Sequence, residues 1–504
     1  MIVLAIDQGT TGTKCTCFDR DQRPLSSASL EFTQHFPQPG WVEHDAEEIW
    51  ETTLEAARQA LREAGAAPED VAAVGITNQR ETTVVWERES GRPVRKAIVW
   101  QCRRSADICR RCVESGLGET FHRKTGLVLD PYFSGTKLTW IMENEPHIAR
   151  RAPSGELCFG TIDSWLLFRL TGGRVHASDV SNASRTLLFN IHDLAWDEEL
   201  ARACGVPMSM LPEVRESSGI FGETDPAAFL GISAPVAGIA GDQQAALFGQ
   251  ACFRPGMTKN TYGTGSFVLM NIGGEPRISQ KGMLTTIAWS IGGEVTYALE
   301  GSIFITGAAV NWLRDGLRII SEVSEIDELA ASVEDTGGVY FVPAFVGLGA
   351  PYWDPRARAL LIGMTRGTNR AHVARAVIES MALQTADVVE AMVAETGVAL
   401  KELRVDGGAS VMDMLLQYQA DLLGVPVRRP IVSETTSLGA ALLAGLAAGI
   451  WKDLEEIEER WQLDREALPD PGAAERVRAM RRDWKRAVER SMGWALEEEA
   501  SGDT

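Results

Sequence analysis

Two short glycine- and threonine-rich loops and two carboxylates are the residues most able to do chemistry. Asp7-Gln8-Gly9-Thr10-Thr11-Gly12 follows the apolar run Ile2-Val3-Leu4-Ala5-Ile6, and Gly263-Thr264-Gly265-Ser266 follows Lys259-Asn260-Thr261-Tyr262. Backbone N–H groups and hydroxyls crowded into a tight turn are what a phosphate chain needs around it. Two such loops, one in each half of the chain, point to a nucleotide held in a cleft between duplicated domains. Asp7 opens the first loop, and Asp242, in Gly241-Asp242-Gln243-Gln244, precedes the second. Carboxylates beside phosphate loops read as magnesium handling and proton abstraction. Taken singly, a strand running into Gly-Thr is also a plain hairpin, and Gly-Asp is also a helix cap. The phosphate reading rests on both loops occurring together with Asp406-Gly407-Gly408.

A second group is polar and aromatic. Asn78-Gln79-Arg80-Glu81 closes an apolar run at 71–77. Adjacent Arg and Glu at a strand end form a surface ion pair or grip neighbouring hydroxyls of a polyol, Arg donating and Glu accepting. Trp100, in Trp100-Gln101-Cys102-Arg103-Arg104, is either core or an apolar wall against substrate C–H groups. Asp130-Pro131-Tyr132-Phe133 is a turn that carries an aromatic hydroxyl. The sequence has no G-x-x-x-x-G-K-[ST] loop, no H-E-x-x-H and no protein-kinase catalytic signature, so phosphoryl transfer would use another scaffold.

The elements that must carry these residues are mixed α/β. Strands are expected at 2–7, 13–18, 25–32, 71–77, 83–87 and 97–100, with a helix over 46–63 behind Asp45 as N-cap. The second half repeats the pattern, with strands at 258–262, 266–270, 295–300 and 403–406. Its helices are expected at 370–392, 412–423 and 438–449, followed by a charged outer helical stretch over 455–499. The halves divide near 250–255, giving domains 1–250 and 251–504.

With 504 residues, 45% hydrophobic and 23% charged, the chain has the composition of a multi-domain globular enzyme. Its net charge of -20 repels nucleic acid and anionic membrane, so neither is expected as a partner. That field also repels ATP, so a nucleotide site must supply its own local positive potential. Eight scattered cysteines with no secretion signal suit reduced thiols in the cytoplasm, and Cys109-Arg110-Arg111-Cys112 has no second pair at zinc spacing. The longest apolar stretch, 438–451, is far short of the roughly 18 residues of a membrane span.

The segments Asp7-Gln8-Gly9-Thr10-Thr11, Pro39-Gly40-Trp41-Val42-Glu43-His44-Asp45, Gly75-Ile76-Thr77-Asn78-Gln79-Arg80-Glu81 and Ile98-Val99-Trp100-Gln101-Cys102-Arg103 resemble the glycerol kinases of the FGGY carbohydrate kinase family. So do Asp130-Pro131-Tyr132-Phe133, Gly241-Asp242-Gln243-Gln244, Thr261-Tyr262-Gly263-Thr264-Gly265, Ala350-Pro351-Tyr352-Trp353-Asp354 and Val405-Asp406-Gly407-Gly408. The resemblance implies two actin-like ATPase (ribonuclease H-like) domains closing an interdomain cleft over ATP, with Mg²⁺ and glycerol as the other occupants. It implies Asp242 as general base, and Asp7 with Asp242 nearby for the metal. Arg80, Glu81, Tyr132, Asp242 and Gln243 would bind the glycerol hydroxyls, and Trp100 and Phe267 would cover its carbons. Thr10, Thr11, Gly12 and Lys14 would face the phosphates with Thr264, Gly265 and Gly307, while Asn311, Gly408 and Met412 would lie near the nucleoside. Five positions, in three places, depart from the family pattern. Gly12-Thr13-Lys14 replaces Ser-Ser-Arg, Asn311 replaces Gln and Met412 replaces Asn. Lys keeps the charge without the bidentate fork of Arg. The resemblance also implies a homo-oligomer, dimer or tetramer. Another FGGY sugar or polyol kinase, or more remotely an actin-like ATPase switch, stands as the alternative.

Overall fold

The computed structural model describes residues 1–496. Its framework starts from the apolar run at the N-terminus. Ile2–Gln8 is a central strand buried throughout except at Asp7. It pairs antiparallel with Gly12–Phe18, which pairs antiparallel with Pro24–Glu31. On its other side lie Val71–Asn78 and then Pro235–Gly241, both parallel. The second half repeats this order. Met257–Tyr262 is the centre, with Ser266–Gly273 and then Glu294–Ile303 antiparallel on one side. Glu402–Asp406 and Val427–Pro430 are parallel on the other. Three antiparallel strands backed by two parallel ones, twice over, is the duplicated ribonuclease H-like plan. The two half-sheets join into one 13-stranded sheet, where Ser218–Glu223 meets Leu284–Ile291 through the single pair Ser218 and Ile291.

Strand register decides where the loops go. Gln8, Asn78 and Gly241 lie level across three parallel strands, and Thr261 lies level with Asp406 across two. Ligands of open parallel sheets collect at such carboxyl ends. The residues that follow these strands include Arg80, Glu81, Asp242 and the two glycine-threonine loops.

Helices Ala46–Ala64 and Arg370–Thr396 form where periodicity places them, and each stops at a left-handed glycine, Gly65 and Gly397. Asp45 caps the first by accepting from the Glu47 N–H. The helix Thr435–Ala447 leaves the second half and packs on the strands Ile2–Gln8, Val71–Asn78 and Pro235–Gly241 and on the helix Asp242–Gly249. Its contact with that helix is backbone on backbone. A Cβ at Gly439 would sit 1.8 Å from the Ala245 carbonyl oxygen, and one at Gly249 would sit 2.0 Å from that of Thr435. The Ala- and Gly-rich composition of 438–449 is therefore what lets this helix lie against Asp242's own helix.

The expected helical stretch over 455–499 is corrected. It divides into a short helix Leu454–Glu459, an edge strand Leu463–Ala467 and a helix Ala474–Ser491, and 497–499 lie outside the described residues. The edge strand pairs antiparallel with Val427–Pro430 and is held by Arg428–Glu466 (2.8 Å) and Arg429–Asp464 (2.7 Å) bonds. A charged edge strand has no apolar face to give it period two, and it blunts the exposed edge of the sheet. The expected strand at 97–100 shrinks to Ala97–Ile98, so Trp100 belongs to the loop beyond it. Among the described residues no helix is long and apolar enough to cross a membrane.

Gly439→Ala should lower unfolding free energy by about 1–3 kcal/mol, the cost of overpacking, read as a fall in Tm. An unchanged Tm would mean the two helices separate without cost.

Candidate active site

The first loop is held from behind. The Gly9 carbonyl accepts from Gln8 Nε2 (2.8 Å) and Gln79 Nε2 (3.2 Å), and the Thr10 carbonyl accepts from Gln34 Nε2 (3.0 Å). The Thr11 and Gly12 carbonyls accept from the Phe32 (3.3 Å) and Gly9 (2.9 Å) N–H groups. In a trans peptide the C=O and the following N–H point opposite ways. Pulling the Gly9 and Thr10 carbonyls back therefore turns the Thr10 and Thr11 N–H groups outward. His44 braces this glutamine set, with Nε2 at 2.7 Å from Gln34 Oε1 and Nδ1 at 3.3 Å from Gln79 Nε2. These partners require the neutral tautomer with the proton on Nε2, and burial together with nearby His35 holds the imidazole down at about 3.

Asp7 and Asp242 converge. Burial and then the charge of Asp242 push the Asp7 carboxyl up to about 7, while Ser437 Oγ donates to Asp7 Oδ2 at 3.2 Å. Two acids sharing one space would welcome a cation between or beside them. No group of three or more His, Cys, Asp or Glu suited to a metal occurs among the described residues. The donor set therefore fits a hard ion held by one or two carboxylates plus phosphate and water, as Mg²⁺ is. Lys14, level with Asp7 on the neighbouring strand, reaches Glu434 at 2.6 Å, and both side chains are partly exposed. Such a pair is worth at most about 1 kcal/mol, so an arriving phosphate can compete for the ammonium.

Beside the acids lies a buried chain of alternating charge. Arg80 Nε is 3.1 Å from Asp242 Oδ1, its Nη2 donates to Glu300 Oε1 at 3.1 Å, and its Nη1 bonds Glu300 Oε2. Arg185 donates from Nη2 to the same Glu300 Oε1 (3.0 Å) and from Nε to Glu81 Oε1 (2.7 Å). Burial alone would raise Glu300, but Arg185 and Arg80 outweigh it and hold the carboxyl at about 2. Glu81 adopts a left-handed backbone at φ 62°, unusual for a residue with a Cβ and costing on the order of 1–3 kcal/mol. That turn re-aims its side chain towards Arg185.

Aromatic groups wall the same space. The Trp100 and Tyr132 rings meet edge to face at 5.5 Å, and the Trp100 indole N–H donates to Thr10 Oγ1 at 2.9 Å. The apolar wall thus reaches the first phosphate loop directly. Phe267 lies 6.0 Å below the Arg80 guanidinium. Tyr132 sits in a turn whose carbonyls converge on buried Lys137, at 2.8 Å from Pro131 O and 3.2 Å from Phe133 O, with a third bond to Tyr132 O. Gln243 accepts from buried Lys259, which also reaches Thr261 Oγ1 at 3.0 Å. Burial brings the Lys259 ammonium down to about 8.

The second loop is pinned to the helix Gly307–Asp315. Gly307 N–H donates to Gly263 O (3.0 Å), and the Thr306 and Ala308 N–H groups donate to Thr264 O (2.9 and 3.0 Å). Thr264, Gly265 and Gly307 are thereby brought together, and Asn311 is exposed on that same helix. Gly408 opens a short turn with nothing within 4 Å of where its Cβ would be. Met412 is 4% exposed and packs in the core of the second half. Sequence reasoning missed Arg185, Glu300, Lys259 and Lys137. Each is a lone charge in a segment that is otherwise buried, and that was the available signal.

The imidazole of His44 titrates near 6.5 when unfolded and about 3 when folded. The stabilisation is whole above 6.5 and shrinks as pH falls towards 3, because only the unfolded chain binds the proton in that window. His44→Gln should remove up to about 1.4 kcal/mol per pH unit from the slope of unfolding free energy between pH 3 and 6.5, measured by denaturant titration. An unaltered slope would mean His44 is protonated in the folded protein.

Comparison with known proteins bears on the family and the fold. Residues 2–249 match the N-terminal domain, and residues 258–448 the C-terminal domain, of the FGGY family of carbohydrate kinases. Glycerol kinase 2 of Thermotoga maritima is 59% identical over 492 residues, covering 98% of this chain and 99% of that protein. The glycerol kinase of Symbiobacterium thermophilum is 58% identical over 495 residues, with 98% and 99% covered. The crystal structure of Plasmodium falciparum glycerol kinase with ADP superposes with a TM-score of 0.91 at 35% identity, over 97% of this chain and 98% of that one. A xylulose kinase from Lactobacillus acidophilus shares the fold, with a TM-score of 0.87 at 22% identity over 98% of this chain and 99% of that one. By sequence across both halves and by the duplicated sheet, the chain belongs to the FGGY family of carbohydrate kinases.

Proposed function

We infer that the protein transfers the γ-phosphoryl group of ATP to glycerol, giving sn-glycerol 3-phosphate and ADP. The observation that carries this reading is the contact between Asp242 and Arg80, which joins a carboxylate at the phosphate loops to a buried donor suited to hydroxyls.

The terminal hydroxyl of glycerol lies at Asp242, which accepts its proton as the oxygen attacks the γ-phosphorus. The new O–P bond forms as the bond from phosphorus to the β,γ-bridging oxygen breaks, leaving ADP. Phosphoryl transfer asks the protein for in-line alignment and charge stabilisation rather than covalent help. The outward N–H groups of Thr10 and Thr11, with the loop around Thr264 and Gly265, receive phosphate oxygens. Lys14 leaves Glu434 for the same purpose. Asp7 and Asp242 would hold Mg²⁺ together with ATP, and the ion would neutralise phosphate charge. Arg80 and Glu81 read the remaining hydroxyls, and Trp100 and Phe267 cover the carbons. Gln243 has its amide oxygen committed to Lys259, so it presents its NH₂ as a donor. Closure of the two halves excludes water, so that ATP is not merely hydrolysed. A substrate that lacks a hydroxyl strands a buried partner, at a cost of about 1–3 kcal/mol.

ADP formation measured with and without glycerol tests the reaction: strong glycerol dependence is expected, and slow glycerol-independent hydrolysis would contradict it. Asp242→Asn should lower kcat at least about 100-fold while ATP binding, read by calorimetry, persists. Arg80→Ala should raise the KM for glycerol far more than that for ATP, and equal effects on the two would make Arg80 structural.

A further inference from the structure

Glu300 has no task in the reaction as derived so far. It lies in the strand Glu294–Ile303 of the second half, 1% exposed, with Leu269 and Leu284 as its cross-strand neighbours. A carboxylate in such a place is costly unless it is paired and hydrogen-bonded. Both its oxygens are taken, and both by first-half residues, Arg80 and Arg185.

The consequence lies at Arg80. A guanidinium has five N–H donors in a rigid fork. Four have protein acceptors beside them: Nε lies 3.1 Å from Asp242 Oδ1 as an ion pair, one Nη1 hydrogen bonds Glu300 and the other Gln244 (3.2 Å), and one Nη2 hydrogen bonds Glu300. The donor left over is the second hydrogen on Nη2. The chain runs Asp242, Arg80, Glu300, Arg185, Glu81. Its two ends are the acid that takes the proton and an acid that reads a hydroxyl, and its middle is Glu300. The Asp242 side chain is 32% exposed and that of Glu300 is wholly enclosed, so substrate can reach only one end of Arg80's partnerships.

We propose that Glu300 is a positioning residue for polyol recognition: from the second half it clamps Arg80 so that the free Nη2 donor faces the substrate, and through Arg185 it sets Glu81. The proposal rests on the reading of Arg80 as a glycerol ligand. Glu300 touches no substrate, and its effect passes through the two arginines. Because the clamp and the clamped residue belong to different halves, the polyol site is complete only when the second half lies against the first.

The test is steady-state kinetics with both substrates varied, on Glu300→Gln and Glu300→Asp. Glu300→Gln keeps shape but loses charge. The KM for glycerol should rise at least tenfold while that for ATP stays within twofold. Glu300→Asp keeps charge but withdraws the carboxylate by one methylene. It should raise the glycerol KM at least threefold, and it serves if the Gln variant does not fold. A purely structural Glu300 would instead lower Tm and the active fraction, with both KM values unchanged, and that result overturns the proposal. The double variant Arg80→Ala/Glu300→Gln should raise the glycerol KM by less than the product of the two single effects, because part of the Glu300 effect passes through Arg80; fully multiplicative losses would also overturn it. If Arg80→Ala itself leaves glycerol KM unmoved, the reading of Arg80 fails. If Arg80→Ala raises it while the Glu300 variants do not, only the clamp fails.

Discussion

Arg80 carries a full positive charge in the seam between two half-sheets, 3% exposed, and the site is arranged around satisfying it. Removing one partner of a buried ion pair typically costs about 3–5 kcal/mol, while swapping the pair for apolar groups is often neutral. Stability alone therefore does not explain why charge is kept there. On the proposed reading specificity does, because a guanidinium fixed by Glu300 and Asp242 would be a rigid reader of hydroxyl geometry. The same chain ties Asp242, the proposed base, to the residues proposed to choose the substrate.

The phosphate side meets a different constraint. A chain of net charge -20 must attract an anion with local fields. It does so largely with backbone. Glutamine side chains and a neutral histidine hold the first loop's carbonyls inward, and a helix start holds the second loop in place. The bond from Trp100 to Thr10 then joins the aromatic wall to the first glycine-threonine loop, so on the proposed reading the two substrates share one scaffold. The close glycine contacts hold the helix that begins at Asp242 against the helix Thr435–Ala447.

Much of this was legible in the sequence where local signal was strong. Continuous apolar runs at 2–7 and 71–77 became adjacent parallel strands, and their loops carry Asp7 and Arg80 to one edge. Helix 46–63 had its cap written in Asp45. Residues whose meaning depends on distant partners were not legible. Glu300 and Arg185 are 115 positions apart and belong to no motif, and Lys259 is one polar residue in a strand. The strand Leu463–Ala467 lay hidden because a charged edge strand shares the composition of a solvated helix.

The account stands most directly on where glycerol sits. A crystal structure with glycerol, Mg²⁺ and a non-hydrolysable ATP analogue should show a terminal glycerol oxygen within hydrogen-bond distance of the Asp242 carboxylate. A second oxygen should lie on the outward Nη2 of Arg80, with the carbons between Trp100 and Phe267. Glycerol bound elsewhere, with Asp242 and Arg80 touching only each other, would contradict it.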